Sequence, residues 1–296
     1  MLSLDGGDSL KAIETINLSY SYPDGTKALE NINFTVNKGE NIAILGPNGA
    51  GKSTLVHHFN GLLMPTSGKV FVLGKEVSKS NVDWIRQKVG LVFQDPDDQL
   101  FARTVTQDVA FGPTNMGLPS KEIEDRVKWA LEVTGLKGLE NKSPQNLSQG
   151  QKKRAAIAGV LAMKPEIIAL DEPMANLDPR TASKILRLLL QLNQELGLTL
   201  IIATHDVDFV PLFADKVYVL NKGKMFLEGP LAEVFLNTET MRSINLRLPR
   251  MAHLFEILKR KDGLPINNRF PLTIGEARRE ILRLLDSNRL NDEKGK

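Results

Sequence analysis

The chain has 296 residues, 42% of them hydrophobic and 25% charged, a globular balance that fits one large domain with an appendage or two small domains. No apolar run approaches the ~18–20 residues needed to cross a bilayer, and zero cysteines exclude disulfides and thiolate metal sites and fit a reducing cytoplasm. The net charge of +3 conceals an asymmetry: residues 240–296 hold 13 Lys+Arg against 7 Asp+Glu and the rest 25 against 28, so the body is no basic nucleic-acid grip.

The opening MLSLDGGDSLK is acidic and lacks an apolar core, so it does not read as a signal peptide. Residues 12–45 read as strands with tight turns. KAIETINLSY is apolar-rich, PDG at 23–25 is a turn, and ALENINFTV alternates with period two. NKG at 37–39 turns the chain into NIAILG, a short apolar run typical of a buried parallel strand. GKSTLVHHFNGLL then follows helical spacing, so strand, loop and helix succeed one another over 41–63. VFVL at 70–73 and VGLVF at 89–93 are further strands. From 97 to 164 the character changes: DPDDQLF and GPTNMGLPS are turn-rich, while KEIEDRVKWALEVTGL and the segment opening at LSQGQ are helical, which predicts a helical insertion between strands. Strand character returns at 167–171 and 198–204 around the amphipathic TASKILRLLLQLNQEL, and KVYVL at 216–220 ends the alternation. The tail from about 239 has helical pieces interrupted at LPR and DGLP. Thr273 and Glu276 form a capping-box pattern for a last helix whose Ile274, Ile281 and Leu284 or Leu285 need a surface to cover. Its cations read either as a solvated helical face or as contact with an anionic membrane surface or acidic partner.

GPNGAGKS at 46–53 satisfies G-x-x-x-x-G-K-[ST] between a predicted strand and a predicted helix. Gly46, Gly49 and Gly51, with Pro47, Asn48 and Ala50 between them, would let the loop turn its amides toward a pyrophosphate. Lys52 would reach the β- and γ-phosphates, Ser53 would ligate Mg²⁺, and Thr54 would extend the phosphate contacts. In IIALDEP at 167–173 an apolar strand ends at two adjacent acids, costly there unless something cationic lies beside them. Asp171 would hold Mg²⁺ through water and Glu172 would orient or deprotonate the attacking water. A glycine-rich turn and a strand-end turn would look the same singly; together the motifs point to a polyphosphate site with Mg²⁺. LSQGQKKR at 147–154 raises a further question, because a serine, a glycine and three cations at a helix start attract a second phosphate.

With these motifs in place, the sequence resembles the ATP-binding subunits of ABC transporters over roughly residues 11–238. The resemblance implies an α/β P-loop NTPase core with an N-terminal antiparallel β layer, a helical subdomain inserted at about 97–164, and a small C-terminal extension over 239–296 with a dimerisation role. It makes Gln94 the Q-loop glutamine that approaches Mg²⁺, Tyr22 the aromatic that stacks on adenine, His205 the switch histidine, and Asn176–Leu177–Asp178 the D-loop. Packing alone would also account for a tyrosine beside a turn. LSQGQ resembles the ABC signature, so Ser148 and Gly150 would complete the far side of a partner chain's ATP in a head-to-tail dimer, and the resemblance adds Gln151 and Asp178 to the nucleotide-binding residues. Local capping by Ser148 and Gln151 is compatible with that role. Gln149 and Asn176 depart from the family pattern.

VFQDPDDQLFARTVTQDVAFGP at 92–113 resembles energy-coupling-factor importers, and THDVDFVPLFADKVYVL is similar to their cobalt-transport (CbiO) branch. The resemblance implies an ATPase peripheral to the cytoplasmic face of the cell membrane, docked on a transmembrane scaffold subunit beside a substrate-binding membrane subunit and paired with a second ATPase chain, itself or a paralogue. Cobalt is the expected cargo, with nickel and vitamins open; four histidines are too few and badly spaced to cage it here. A soluble ATP-driven switch acting on nucleic acid or protein assemblies is the alternative, and the acidic body argues against nucleic acid. A regulator without turnover would need a damaged catalytic set, yet Glu172 and His205 are both present.

Overall fold

The structure, a computed structural model, describes residues 11–267 and 269–294; the N-terminal segment before Lys11 lies outside the described residues. β1 (Lys11–Ser21), β2 (Lys27–Asn37), β4 (Ser67–Val72) and β5 (Lys75–Glu76) form an antiparallel sheet in the order β2-β1-β4-β5. The second sheet contains β3 (Asn41–Leu45), β6 (Val89–Val92), β7 (Ile167–Asp171), β8 (Thr199–Thr204), β9 (Lys216–Asn221) and β10 (Lys224–Pro230), in the order β10-β9-β3-β8-β7-β6. β9, β3, β8, β7 and β6 run parallel, and every residue of β7 and β8 is buried, so they are continuous apolar runs. This is the expected P-loop α/β core with its antiparallel layer.

Two expectations need correction. KVYVL is not the last strand: a turn with Lys222 at φ +48° and Gly223 at +75° leads into β10, an antiparallel edge strand. Half of its positions face solvent, so KMFLEGP carries too few apolar residues to be conspicuous. GPTN is not a turn either, since it lies inside α3 (Val105–Asn115). Gly112 is there for close packing: a Cβ would lie 2.5 Å from Cγ of Met163. With α4 (Ser120–Val133) and α5 (Gln149–Leu161), α3 makes the inserted helical subdomain between β6 and β7.

Helices α1 (Lys52–Phe59) and α2 (Val82–Lys88) precede the insertion. α6 (Pro179–Leu196) follows β7 and is punctuated as its sequence suggests: Asp178 caps it, Pro179 opens it, and Gly197 closes it at φ +64°. The tail continues as α7 (Leu231–Leu236), α8 (Thr238–Ser243), α9 (Arg250–Arg260) and α10 (Ile274–Lys294). Thr273 Oγ1 accepts the Glu276 amide at 3.2 Å, while the Glu276 carboxylate reaches the Leu272 amide at 2.7 Å, one residue earlier than in a simple capping box. Leu284 covers a small cluster around Phe255, Ile266 and Ala277, whereas Ile274, Ile281 and Leu285 are exposed.

Residues just past 238 are continuous with the main core. Met241, Ile244, Leu246, Leu248 and Ala252 are buried in the same apolar cluster as Val207, Val210 and Val217. Truncating such a side chain costs about 2–5 kcal/mol. Leu248→Ala should therefore lower the main thermal unfolding transition of the whole chain. A separate early transition, with the main one unmoved, would show instead that the extension folds alone.

Candidate active site

The site forms where parallel strands end side by side. β8 lies between β3 and β7, with Leu45 level with Thr204 and Asp171 level with Ala203. The loop after β3, the acids at the end of β7 and the histidine after β8 therefore emerge on one edge, where α/β sheets bind ligands.

The loop 46–51 is tight for steric reasons. A Cβ on Gly46 would lie 2.4 Å from the Leu220 carbonyl oxygen, and Gly51 holds φ +100° with a Cβ position 2.7 Å from the Ala28 carbonyl oxygen. α1 begins without a side-chain cap, which leaves first-turn amides free for an anion. Lys52 folds back over this loop and donates to the carbonyls of Gly46 at 2.9 Å and Pro47 at 3.2 Å. Its Nζ lies 3.6 Å from Oε1 of Glu172, an ionic contact rather than a hydrogen bond. Burial holds the Lys52 ammonium below its ordinary range, against the pull of Glu172 and Asp171.

Burial also pushes the Asp171 carboxyl up, aided by the neighbouring Glu172 charge and opposed by a hydrogen bond from Ser53. Its Oδ1 is buried without a hydrogen-bond partner. An orphaned carboxylate oxygen beside a serine hydroxyl is a hard-oxygen donor set that fits Mg²⁺. Among the described residues no group of three or more His, Cys, Asp or Glu could hold a metal, so phosphate and water oxygens would supply the other ligands.

Glu172 is held on every side. It sits at φ +45°, a sparsely populated conformation for a non-glycine residue. Its amide donates to the Ala203 carbonyl at 2.9 Å. Oε1 is 2.7 Å from Nδ1 of His205, and Oε2 accepts from the Thr204 hydroxyl at 3.1 Å. The carboxylate can thus be aimed at a reacting atom without reorganising. A cleft of about 420 Å³ faces it, lined by residues 48–54, Tyr22, Gln94, Asp171 and Glu172. Tyr22 stands at its side with its hydroxyl 2.9 Å from Thr54 Oγ1.

Ser148, Gly150, Gln151 and Asp178 do not line that cleft. Ser148 and Gln151 form a reciprocal capping box at the start of α5. Gly150 faces α6, where a Cβ would meet Thr181 Cγ2 at 2.5 Å. Asp178 caps α6 through the Thr181 amide at 3.0 Å, and these hydrogen bonds hold its carboxyl below the ordinary range. Asn176 adopts φ +61°, a left-handed conformation that asparagine tolerates.

The three cations after LSQGQ all have partners within the chain. Lys152 pairs with both oxygens of Asp97, and Arg154 donates to the carbonyls of Thr134 and Gly135. Lys153 is buried against the carbonyls of Phe93, at 3.1 Å, and Gln94. That burial lowers its ammonium to about 8. The structure thereby adds Thr204 and Lys153 to the residues that shape the site. Only Lys153 left a signal in the sequence: cations crowded at a helix N-terminus oppose the helix dipole and need partners.

A family model described as ABC transporter matches residues 29–175. The energy-coupling factor transporter ATP-binding protein EcfA of Methanocaldococcus jannaschii is 59% identical over 275 residues, covering 92% of this chain and 98% of that protein. CbiO1 from Clostridium perfringens, described as part of the ABC transporter complex CbiONQ, superposes with a TM-score of 0.72 at 50% identity, over 83% of this chain and 99% of that one. An ATP-binding cassette solved as a dimer in a post-hydrolysis state, bound to ADP and Pi, gives 0.67 at 32% identity over 74% and 98%. Likeness along nearly the whole length, joined to a phosphate loop and a fixed carboxylate on one sheet edge, places the chain among the ABC transporter ATP-binding proteins of energy-coupling-factor type, as an ATP-hydrolysing subunit.

Proposed function

We propose that this ATPase powers uptake of cobalt through membrane partner subunits, by closing and opening a dimer around two ATP molecules. The observation that carries the catalytic part is Glu172, whose two oxygens are fixed by His205 and Thr204 beside Lys52. In this reading residues 46–54 wrap the phosphates and Lys52 leaves the carbonyls of Gly46 and Pro47 to reach the β- and γ-oxygens. Tyr22 stacks on adenine. Ser53 and Asp171, with Gln94, would hold Mg²⁺, which when bound neutralises charge on the β- and γ-phosphate oxygens. Glu172 orients the attacking water and accepts its proton, while His205 approaches the γ-phosphate.

Ser148, Gly150, Gln151 and Asp178 stand away from the chain's own cleft, and a second chain's cleft is the place for them. The α5 N-terminus would present amides to the partner's γ-phosphate. A cassette related at 32% identity is a dimer after hydrolysis, which supports this arrangement. The likeness to CbiO1, part of CbiONQ, supports a transmembrane scaffold and a substrate-binding membrane subunit as partners, and cobalt as cargo. In such a complex the chain would sit peripherally on the cytoplasmic face; no helix among the described residues is long and apolar enough to cross a membrane. The residues from 239 onward form the extension that would meet its counterpart in the dimer.

Affinity purification of the tagged chain in mild detergent should recover a multi-helix scaffold and a small metal-binding membrane protein. Recovery of soluble proteins or nucleic acid alone would sink the transporter reading. Glu172→Gln should keep ATP binding, lose about 10²–10⁴-fold in turnover, and accumulate as a closed dimer; a monomer at saturating ATP-Mg²⁺ would contradict the shared site. Asp171→Asn should raise the Mg²⁺ concentration for half-maximal turnover about 10–100-fold. Because the Asp171 carboxyl is pushed up, the wild-type Mg²⁺ requirement should also climb as pH falls, and from a higher pH than an ordinary aspartate would give. An unchanged requirement in Asp171→Asn would remove this residue from the ion.

A further inference from the structure

The segment joining α8 to α9 touches the turn that follows the switch histidine. In Leu246–Arg247–Leu248 the outer two side chains are buried in the main core, 6% and 4% exposed. Arg247 points the other way, with its guanidinium 2.7 Å from Oδ2 of Asp208 and 3.6 Å from Oδ1 of Asp206. Pro249 supplies no side-chain cap for α9, and Asp208 fills that position from a distance. Its Oδ1 accepts the Arg250 amide at 2.7 Å, and its Oδ2 lies 3.2 Å from Arg250 Nε. Asp208 thus sits at a helix N-terminus, hydrogen-bonded to one amide and to the Arg247 guanidinium and paired with that of Arg250, while both arginine side chains remain more than half exposed.

From Asp208 a chain of hydrogen bonds leads into the catalytic cluster. The Asp208 amide donates to Oδ1 of Asp206 at 3.0 Å, and the Asp206 amide to Thr204 Oγ1 at 3.1 Å. The Thr204 hydroxyl donates to Oε2 of Glu172, again at 3.1 Å. His205 is next to Thr204 in sequence and meets the other oxygen of Glu172, and Val207 and Val210 pin the turn from beneath, both wholly buried. Every link is within hydrogen-bond length.

We propose that the C-terminal extension sets the geometry of the hydrolytic pair Glu172–His205, with Asp208 as a positioning residue held by Arg247 and Arg250. The extension thereby controls how fast bound ATP is cleaved, and whatever docks on it gains a lever on the chemistry. This rests on Glu172 and His205 being the hydrolytic pair.

The test is steady-state ATP turnover by the full-length chain, with nucleotide affinity and thermal unfolding measured alongside. Arg247→Ala and Asp208→Asn should each lower kcat about 3- to 30-fold, with KM for ATP and the unfolding temperature unmoved. The double variant should be no slower than the worse single one, because both changes cut the same chain. Arg247→Lys should restore most of the rate. Unchanged kcat in both single variants overturns the proposal, as does a loss of rate that follows a fall in unfolding temperature. Glu172→Gln serves as the reference: wild-type turnover there would refute the catalytic reading itself, a failure distinct from that of the lever.

Discussion

Lys52, Asp171 and Glu172 are buried together at one edge of the parallel sheet, and that clustering constrains everything around them. Removing any one of these charges from water is unfavourable, so each must face a charge or donor that offsets the loss. Glu172 has its donors, and Lys52 borrows two backbone carbonyls. Asp171 is the incomplete member, with one oxygen orphaned. The cleft is thus polarised in two senses, cationic and amide-rich along the loop and α1, anionic at Asp171. A polyphosphate with its divalent ion satisfies both at once, whereas a bare anion or bare cation satisfies one. On the proposed reading, selectivity for the metal–nucleotide pair would follow from desolvation as much as from shape.

The same constraint explains which parts of the molecule were legible in sequence. Strands that end at the cluster are buried on both faces, so NIAIL, IIALD and TLIIAT stand out as apolar runs. The glycines that allow the loop to approach Leu220 and Ala28 are fixed by sterics and form a spaced pattern. β10 escaped because an edge strand needs only half an apolar face, and α3 because a Gly-Pro pair chosen for packing against Met163 imitates a turn. Thr204 has no sequence signal at all: a threonine at the end of a strand is ordinary until Glu172 is seen beside it.

Residues that failed to meet in this chain are as informative as those that met. Ser148 and Asp178 satisfy their own helix starts, so neither is strained by standing away from the cleft. A side-chain cap bonds one amide of a helix's first turn, so a phosphate on another chain could still engage others there. On the proposed dimeric reading, ATP acts as a ligand that binds the closed pair better than the open chain. It can shift that equilibrium only by its differential affinity. Hydrolysis reduces the differential by removing the group that both chains contact.

The cationic tail that looked like a membrane or partner surface has a more local explanation for part of its charge. Arg247 and Arg250 are taken up by Asp208, while Arg242 and Arg260 lie against the buried Glu256 of α9. These cations belong to the internal wiring of the extension. Because Leu246 and Leu248 anchor that wiring in the main core, the extension cannot swing freely without disturbing the turn after β8. A displacement at α9 would therefore be felt at Glu172 through a few short bonds, whereas the same displacement in a tethered, separately folded tail would dissipate in the linker.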